Sequence, residues 1–105
     1  MPANAEAREH VSSRIALRVR ALPDVVELSS GSFGTLATPL PGGTVDGVAV
    51  RDDIVEVGVV VRYGRPLPEV AADVQAAVVP LAEGRAVHVS VEDVIAGLPE
   101  TREER

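Results

Sequence analysis

His10 and His88 are the only imidazoles in this chain. A zinc site needs three or four ligands at close spacing, and no second ligand stands near either histidine. His88 falls on the outward side of an alternating segment, so it reads as a surface histidine. Ser12 and Ser13 follow His10 by two and three residues, which raises nucleophile-and-base chemistry. On a helix, neighbours at those offsets do not form the oriented relay a hydrolase needs. Asp52-Asp53 is the densest acidic pair between two strand-like runs. Aspartate suits a tight turn through its local hydrogen bonds, and no further oxygen ligands follow at calcium-loop spacing. These residues predict no catalytic site, no metal site and no bound cofactor.

Two glycine patterns remain. Gly31-Ser32-Phe33-Gly34 matches the GxxG loop with which KH domains grip a nucleic-acid backbone. Gly42, Gly43 and Gly47 cannot make a phosphate loop, because the lysine that reaches the phosphates does not exist here. All ten basic residues are arginine, net charge is −6 and the pI is near 4.8. Phosphate binding needs a positive footprint, so nucleic acid is not expected as the main partner. Only 2% of the residues are aromatic, namely Phe33 and Tyr63, so platforms for stacked bases or sugars are nearly missing. A KH-like nucleic-acid-binding domain stands as the alternative reading.

At 105 residues the chain has room for one domain. With 46% hydrophobic residues it can build one modest core from Val, Leu, Ile and Ala. There is no cysteine, which removes disulfides, thiolate ligands and thiol nucleophiles. No basic segment followed by an apolar run marks the start, and no apolar stretch approaches the ~20 residues of a membrane span. A cytoplasmic protein is expected, without direct membrane insertion.

The elements that carry these residues follow from periodicity. Val11, Ile15, Val19 and Leu22 recur at helical spacing and predict a helix over 5–22, with Asn4 as N-cap and Pro23 as stop. Glu6 and Glu9 sit early in it and Arg18 and Arg20 late, as the helix dipole favours. A strand is expected over Val25 to Leu28. Ser29 to Gly47 reads as loop, with a short extended piece at Thr35 to Thr38. Val48 to Arg51 and Ile54 to Tyr63 alternate as the two arms of a hairpin turning at Asp52-Asp53. On the second arm Val55, Val57, Val59 and Val61 share one face. A second helix is expected from Pro68, with Leu67, Val70, Val74, Ala77, Val78 and Leu81 on one side and a kink or end near Pro80. A last strand covers Ala86 to Glu92. The expected fold is a two-layer α+β domain, a small mixed sheet covered on one face by two helices, in the order α-β-β-β-α-β. The core runs over about 8–94, and the tail over 95–105 is expected to fray.

The chain reads Tyr63-Gly64-Arg65-Pro66-Leu67-Pro68-Glu69-Val70 at the junction of the hairpin and the second helix, and closes its last strand with Val87-His88-Val89-Ser90-Val91-Glu92-Asp93-Val94. With Leu22-Pro23-Asp24-Val25, Phe33-Gly34, Ala37-Thr38 and Leu40-Pro41-Gly42 upstream, this order resembles the alkaline shock, or envelope stress response, family in its short actinobacterial type. The resemblance spans about 10–94. Tyr63, Gly64, Pro68, Glu69 and Val70 match the family's signature around a strand end and a helix start. The chain departs from the family in a shorter connection into the last strand, interrupted by Pro80, and at Pro39, where the short members carry an aromatic. The resemblance implies a non-catalytic cytoplasmic module tied to envelope stress, one that forms homo-oligomers and binds a membrane-anchored protein partner.

Two surfaces are candidates for such contacts. Ala72, Ala76 and Val79 make the outer face of the second helix unusually uncharged, although alanine is also the best helix former. Arg14 and Arg18, four apart on the first helix, could meet an acidic partner or lipid head groups, although a solvated face is the favoured reading.

Overall fold

The computed structural model describes residues 2–96. The stripe of Val11, Ile15 and Val19 builds helix α1 (Pro2–Arg20), and all three side chains are fully buried. The helix starts three residues before the expected 5–22 and ends two residues earlier, so Asn4 lies inside it and does not cap it. Its first turn therefore holds no acidic residue, while Arg18 and Arg20 close the last turn as expected. Leu22 N–H returns to the Val19 carbonyl at 3.0 Å, and the chain leaves through the turn that Pro23 begins.

Strand β1 (Val25–Leu28) follows with its expected bounds. The stretch expected as loop holds a hairpin instead, β2 (Ala37–Leu40) and β3 (Gly43–Asp46), turning at Pro41-Gly42 with Gly42 at φ +82°. Two prolines obscure it in the sequence. Pro39 cannot donate to a ladder, and a two-stranded ribbon tolerates it because each strand needs partners on one side only. The observed order is thus α-β-β-β-β-β-α-β, with β2 and β3 forming a small second sheet.

β4 (Val48–Val50) and β5 (Ile54–Arg62) form the expected hairpin, closed by Arg51 N–H on the Ile54 carbonyl at 2.8 Å. Val55, Val57, Val59 and Val61 all have zero exposure, as the alternation predicted. Helix α2 (Leu67–Val78) crosses back over the sheet and passes into one 3₁₀ turn, Val79–Leu81, at Pro80. β6 (Ala86–Ile95) then pairs parallel with the whole of β5 and runs three residues past the expected Glu92. The tail beyond residue 96 lies outside the described residues.

β5 organises the main sheet. β6 occupies all of one side, while β4 and β1 share the other end to end, β4 against Val55 to Val57 and β1 against Val59 to Val61. Both helices lie on the valine face. Val70, Val74 and Val78 of α2 join Val11, Ile15 and Val19 over Val48, Val50, Val55, Val57, Val59 and Val61. A core of β-branched side chains with little volume variation needs close element spacing, and packing at that density makes every buried methyl count.

The second sheet is tied to the first by one buried hydroxyl. Thr38 Oγ1 donates to the Val48 carbonyl at 2.7 Å and accepts the Val50 N–H at 3.3 Å, at 4% exposure. Replacing Thr38 with Val keeps the shape and leaves two backbone groups of β4 without that partner. The expected loss is about 2 kcal/mol of unfolding free energy, read by denaturant titration. An unchanged midpoint would mean that the hydroxyl does not carry the tie.

Candidate interaction site

The residues singled out for chemistry are dispersed. His10 and His88 are both exposed and lie on α1 and β6. Ser12 is fully buried and donates to the Glu9 carbonyl at 2.9 Å, whereas Ser13 faces solvent. Asp52 and Asp53 are exposed at the hairpin turn, where Asp52 pairs with Arg8. Among the described residues no group of three metal-binding side chains converges. Gly31 to Gly34 lies in the connection from β1 to β2, and Gly31, Ser32 and Phe33 line a depression together with Glu56, His88, Ser90 and Glu92. Two carboxylates beside a glycine loop oppose a phosphate backbone.

Tyr63, Gly64, Pro68, Glu69 and Val70 build the turn from β5 into α2. Tyr63 N–H donates to the Ile95 carbonyl at 2.8 Å and so locks the ends of β5 and β6 together, while its ring stays 80% exposed. Gly64 turns the chain at φ +148°, which side chains rarely adopt. Pro68 lies in the first turn of α2 with Glu69 beside it, and Val70 drops into the core. Arg65 clasps this turn. Its guanidinium meets Asp24 at 2.6 Å, Asp73 at 2.7 Å and Glu69 at 3.5 Å. Its hydrogen bonds to the accepting carboxylates, Asp73 first and then Asp24, raise its pKa further above its already high value. These residues thus shape a corner and leave an aromatic ring standing at it.

Of the interaction candidates, Ala72 and Ala76 are exposed on α2, and Val79 is exposed just past its end, in the 3₁₀ turn. Arg14 and Arg18 are exposed on α1. Leu17, between those two arginines, is 68% exposed.

The longest unsatisfied feature lies elsewhere, on the free side of β6. This ten-residue strand has β5 on one side and, among the described residues, no strand on the other. Such an edge presents a row of backbone donors and acceptors that template another strand. Three surface depressions border it. On the helix side lie Pro68, Ala71, Ala72 and Gln75 with Val89. On the opposite face lie Phe33, Glu56, His88, Ser90 and Glu92. At its far end lie Tyr63, Leu67 and Val94. Strand addition uses this layout, since main-chain bonds supply affinity and flanking depressions take alternate side chains. Alternation revealed the strand, but Gln75, Val89, Val91 and Val94 could be assigned to an edge only after the crossover placed β6 outside β5.

No protein-family model matches the chain, and searches of curated proteins and of solved structures return no match. Among the described residues, no helix is long and apolar enough to cross a membrane.

Proposed function

We propose that this protein is a non-catalytic, self-associating interaction module of the cytoplasm, linked to the envelope stress response and held near the membrane through a membrane-anchored protein partner. The single observation that carries the interaction reading is the unpaired edge of β6, bordered by depressions on both faces. The link to envelope stress rests on the order of residues from Leu22-Pro23 through Tyr63-Gly64 to the valine-rich last strand. The nucleic-acid alternative gains nothing from the loop at Gly31 to Gly34, which faces Glu56 and Glu92.

Light scattering after size exclusion, over a range of concentrations, tests self-association. Concentration-dependent oligomers are expected, and a strict monomer throughout would overturn the reading. Ala76→Glu separates the two candidate faces. Ala76 is exposed and glutamate is a good helix former, so the fold should hold. An oligomer retained in this variant keeps the contact at β6, whereas its loss moves the contact to the outer face of α2. Capture from the native cell followed by mass spectrometry should return a membrane-anchored protein.

A further inference from the structure

Resting on the self-association just proposed, we infer that β6 pairs antiparallel with β6 of a second copy, about a two-fold axis passing beside Ser90. Backbone parity decides which residues can pair. In a parallel ladder one residue directs both its N–H and its C=O to one side, and the next residue directs both to the other. Ala86 N–H donates to the Asp53 carbonyl at 3.0 Å, toward β5. Val87 therefore points outward, and its carbonyl accepts the Gln75 Nε2 amide at 3.1 Å. By the same alternation Val89 and Val91 direct their groups outward.

Both ends of the free stretch are closed. Gln75 occupies the edge at Val87, so a strand added there would have to displace it. At the other end the register with β5 slips between Val91 and Asp93, which makes Glu92 the extra residue of a bulge. Bulges twist an edge away from further pairing. What remains is Val89 to Val91 with its two flanking residues.

A two-fold pairing confined to that stretch sets Val89 of each copy opposite Val91 of the other. Each such pair exchanges both of its backbone hydrogen bonds, and the Gln75 bond survives. Ser90 then faces Ser90 of the second copy across a non-hydrogen-bonded position, where Cα atoms approach to about 4.5 Å. On the helix side Val89 meets the second copy's Val91 beside Pro68, Ala71 and Ala72. On the opposite face His88 stands across from the second copy's Glu92, and an imidazole N–H donates to the carboxylate, twice by symmetry.

This charge pattern selects the antiparallel arrangement. A parallel, in-register pair would stack Glu92 on Glu92, and like charges directly opposite destabilise a sheet. A closed two-fold pair also consumes the edge, so assembly stops at a dimer through this surface.

Ser90→Cys tests the register in a chain that has no other thiol. The position is exposed and its hydroxyl donates only to Glu92, so the fold should tolerate the change. Cysteines facing each other at the axis fall within the Cα separation a disulfide accepts. Under mild oxidation Ser90→Cys should form a covalent dimer roughly a hundredfold faster than Ser13→Cys, an exposed thiol on α1, because pairing raises the local thiol concentration. As an independent arm, Ser90→Asp sets two carboxylates opposite each other and should convert the dimer to monomer with its melting temperature as a monomer unchanged. If wild type is a dimer but Ser90→Cys cross-links no faster than Ser13→Cys, strand pairing is overturned while self-association stands. A dimer that persists in Ser90→Asp has the same meaning. If wild type is a strict monomer at every concentration, both readings fall.

Discussion

Val57→Asp is expected to abolish cooperative folding. Val57 has zero exposure and sits in the middle strand, in register with Val48 on one side and Val89 on the other. Its side chain points into the valine layer beneath the helices. An aspartate there buries a carboxylate with no partner, at a cost of about 4 kcal/mol or more. Total stability of a domain this size is only about 5–15 kcal/mol. Circular dichroism and thermal melting check the outcome, which should be loss of the transition or aggregation. A variant that melts like wild type would mean that the inward face of β5 has been misassigned.

Gly58→Ala carries the second large effect, and its sign is the informative part. Glycine in a strand is ordinarily a liability, and adding a methyl group tends to stabilise by reducing the freedom of the unfolded chain. At Gly58 the expectation reverses. The segment after β1 crosses the outer face of β5 here, and a Cβ would lie 2.3 Å from the Ser29 carbonyl oxygen and 2.9 Å from Leu36 Cδ1. Backbone at one of those contacts leaves little room to give.

The same residue joins β1 to β4. Ser29 N–H donates to the Gly58 carbonyl at 2.9 Å, and Gly58 N–H donates to the Gly47 carbonyl at 2.9 Å. Gly47 in turn sits at φ +87° and donates to the Leu36 carbonyl at 2.6 Å. Pushing Ser29 away disturbs this chain of bonds as well as the packing. The expected loss is about 3 kcal/mol, a fall in Tm of roughly 10–20 °C. A Gly58→Ala variant as stable as wild type would mean that Ser29 does not lie against β5.

The two substitutions bear on the interaction surface in different ways. Val57→Asp removes the platform altogether. Gly58→Ala acts on the face that carries Phe33, Glu56, His88 and Ser90, because the crossing segment forms one wall of that depression. Solution assembly compared between Gly58→Ala and wild type, well below both melting temperatures, therefore reports whether that wall contributes to the contact.

Residue pattern alone specifies α1, β1, β4, β5, α2 and β6 and which of their faces turn inward. Period-two valines over Ile54 to Arg62 and the stripe of Val11, Ile15 and Val19 in α1 leave one arrangement that buries both, since slipping either by a residue would expose it. Proline and glycine set the ends of α2 and the turn at Gly64. The exclusion of thiol and phosphate-loop chemistry needed only the composition. The β2–β3 hairpin was hidden because Pro39 and Pro41 interrupt its alternation, and its stability comes from Thr38 reaching β4, a contact between residues ten and twelve apart. Likewise, Gly58 reads as a weak point in a strand until Ser29 is seen lying against it. That β6 is an outer strand follows from the sheet topology. Alternation is the same for a central and an edge strand, and the difference lies in where the crossover through α2 delivers the chain. That position leaves Val89 and Val91 with outward backbone groups and puts Gln75 over the one before them, and neither can be read from residues adjacent in sequence.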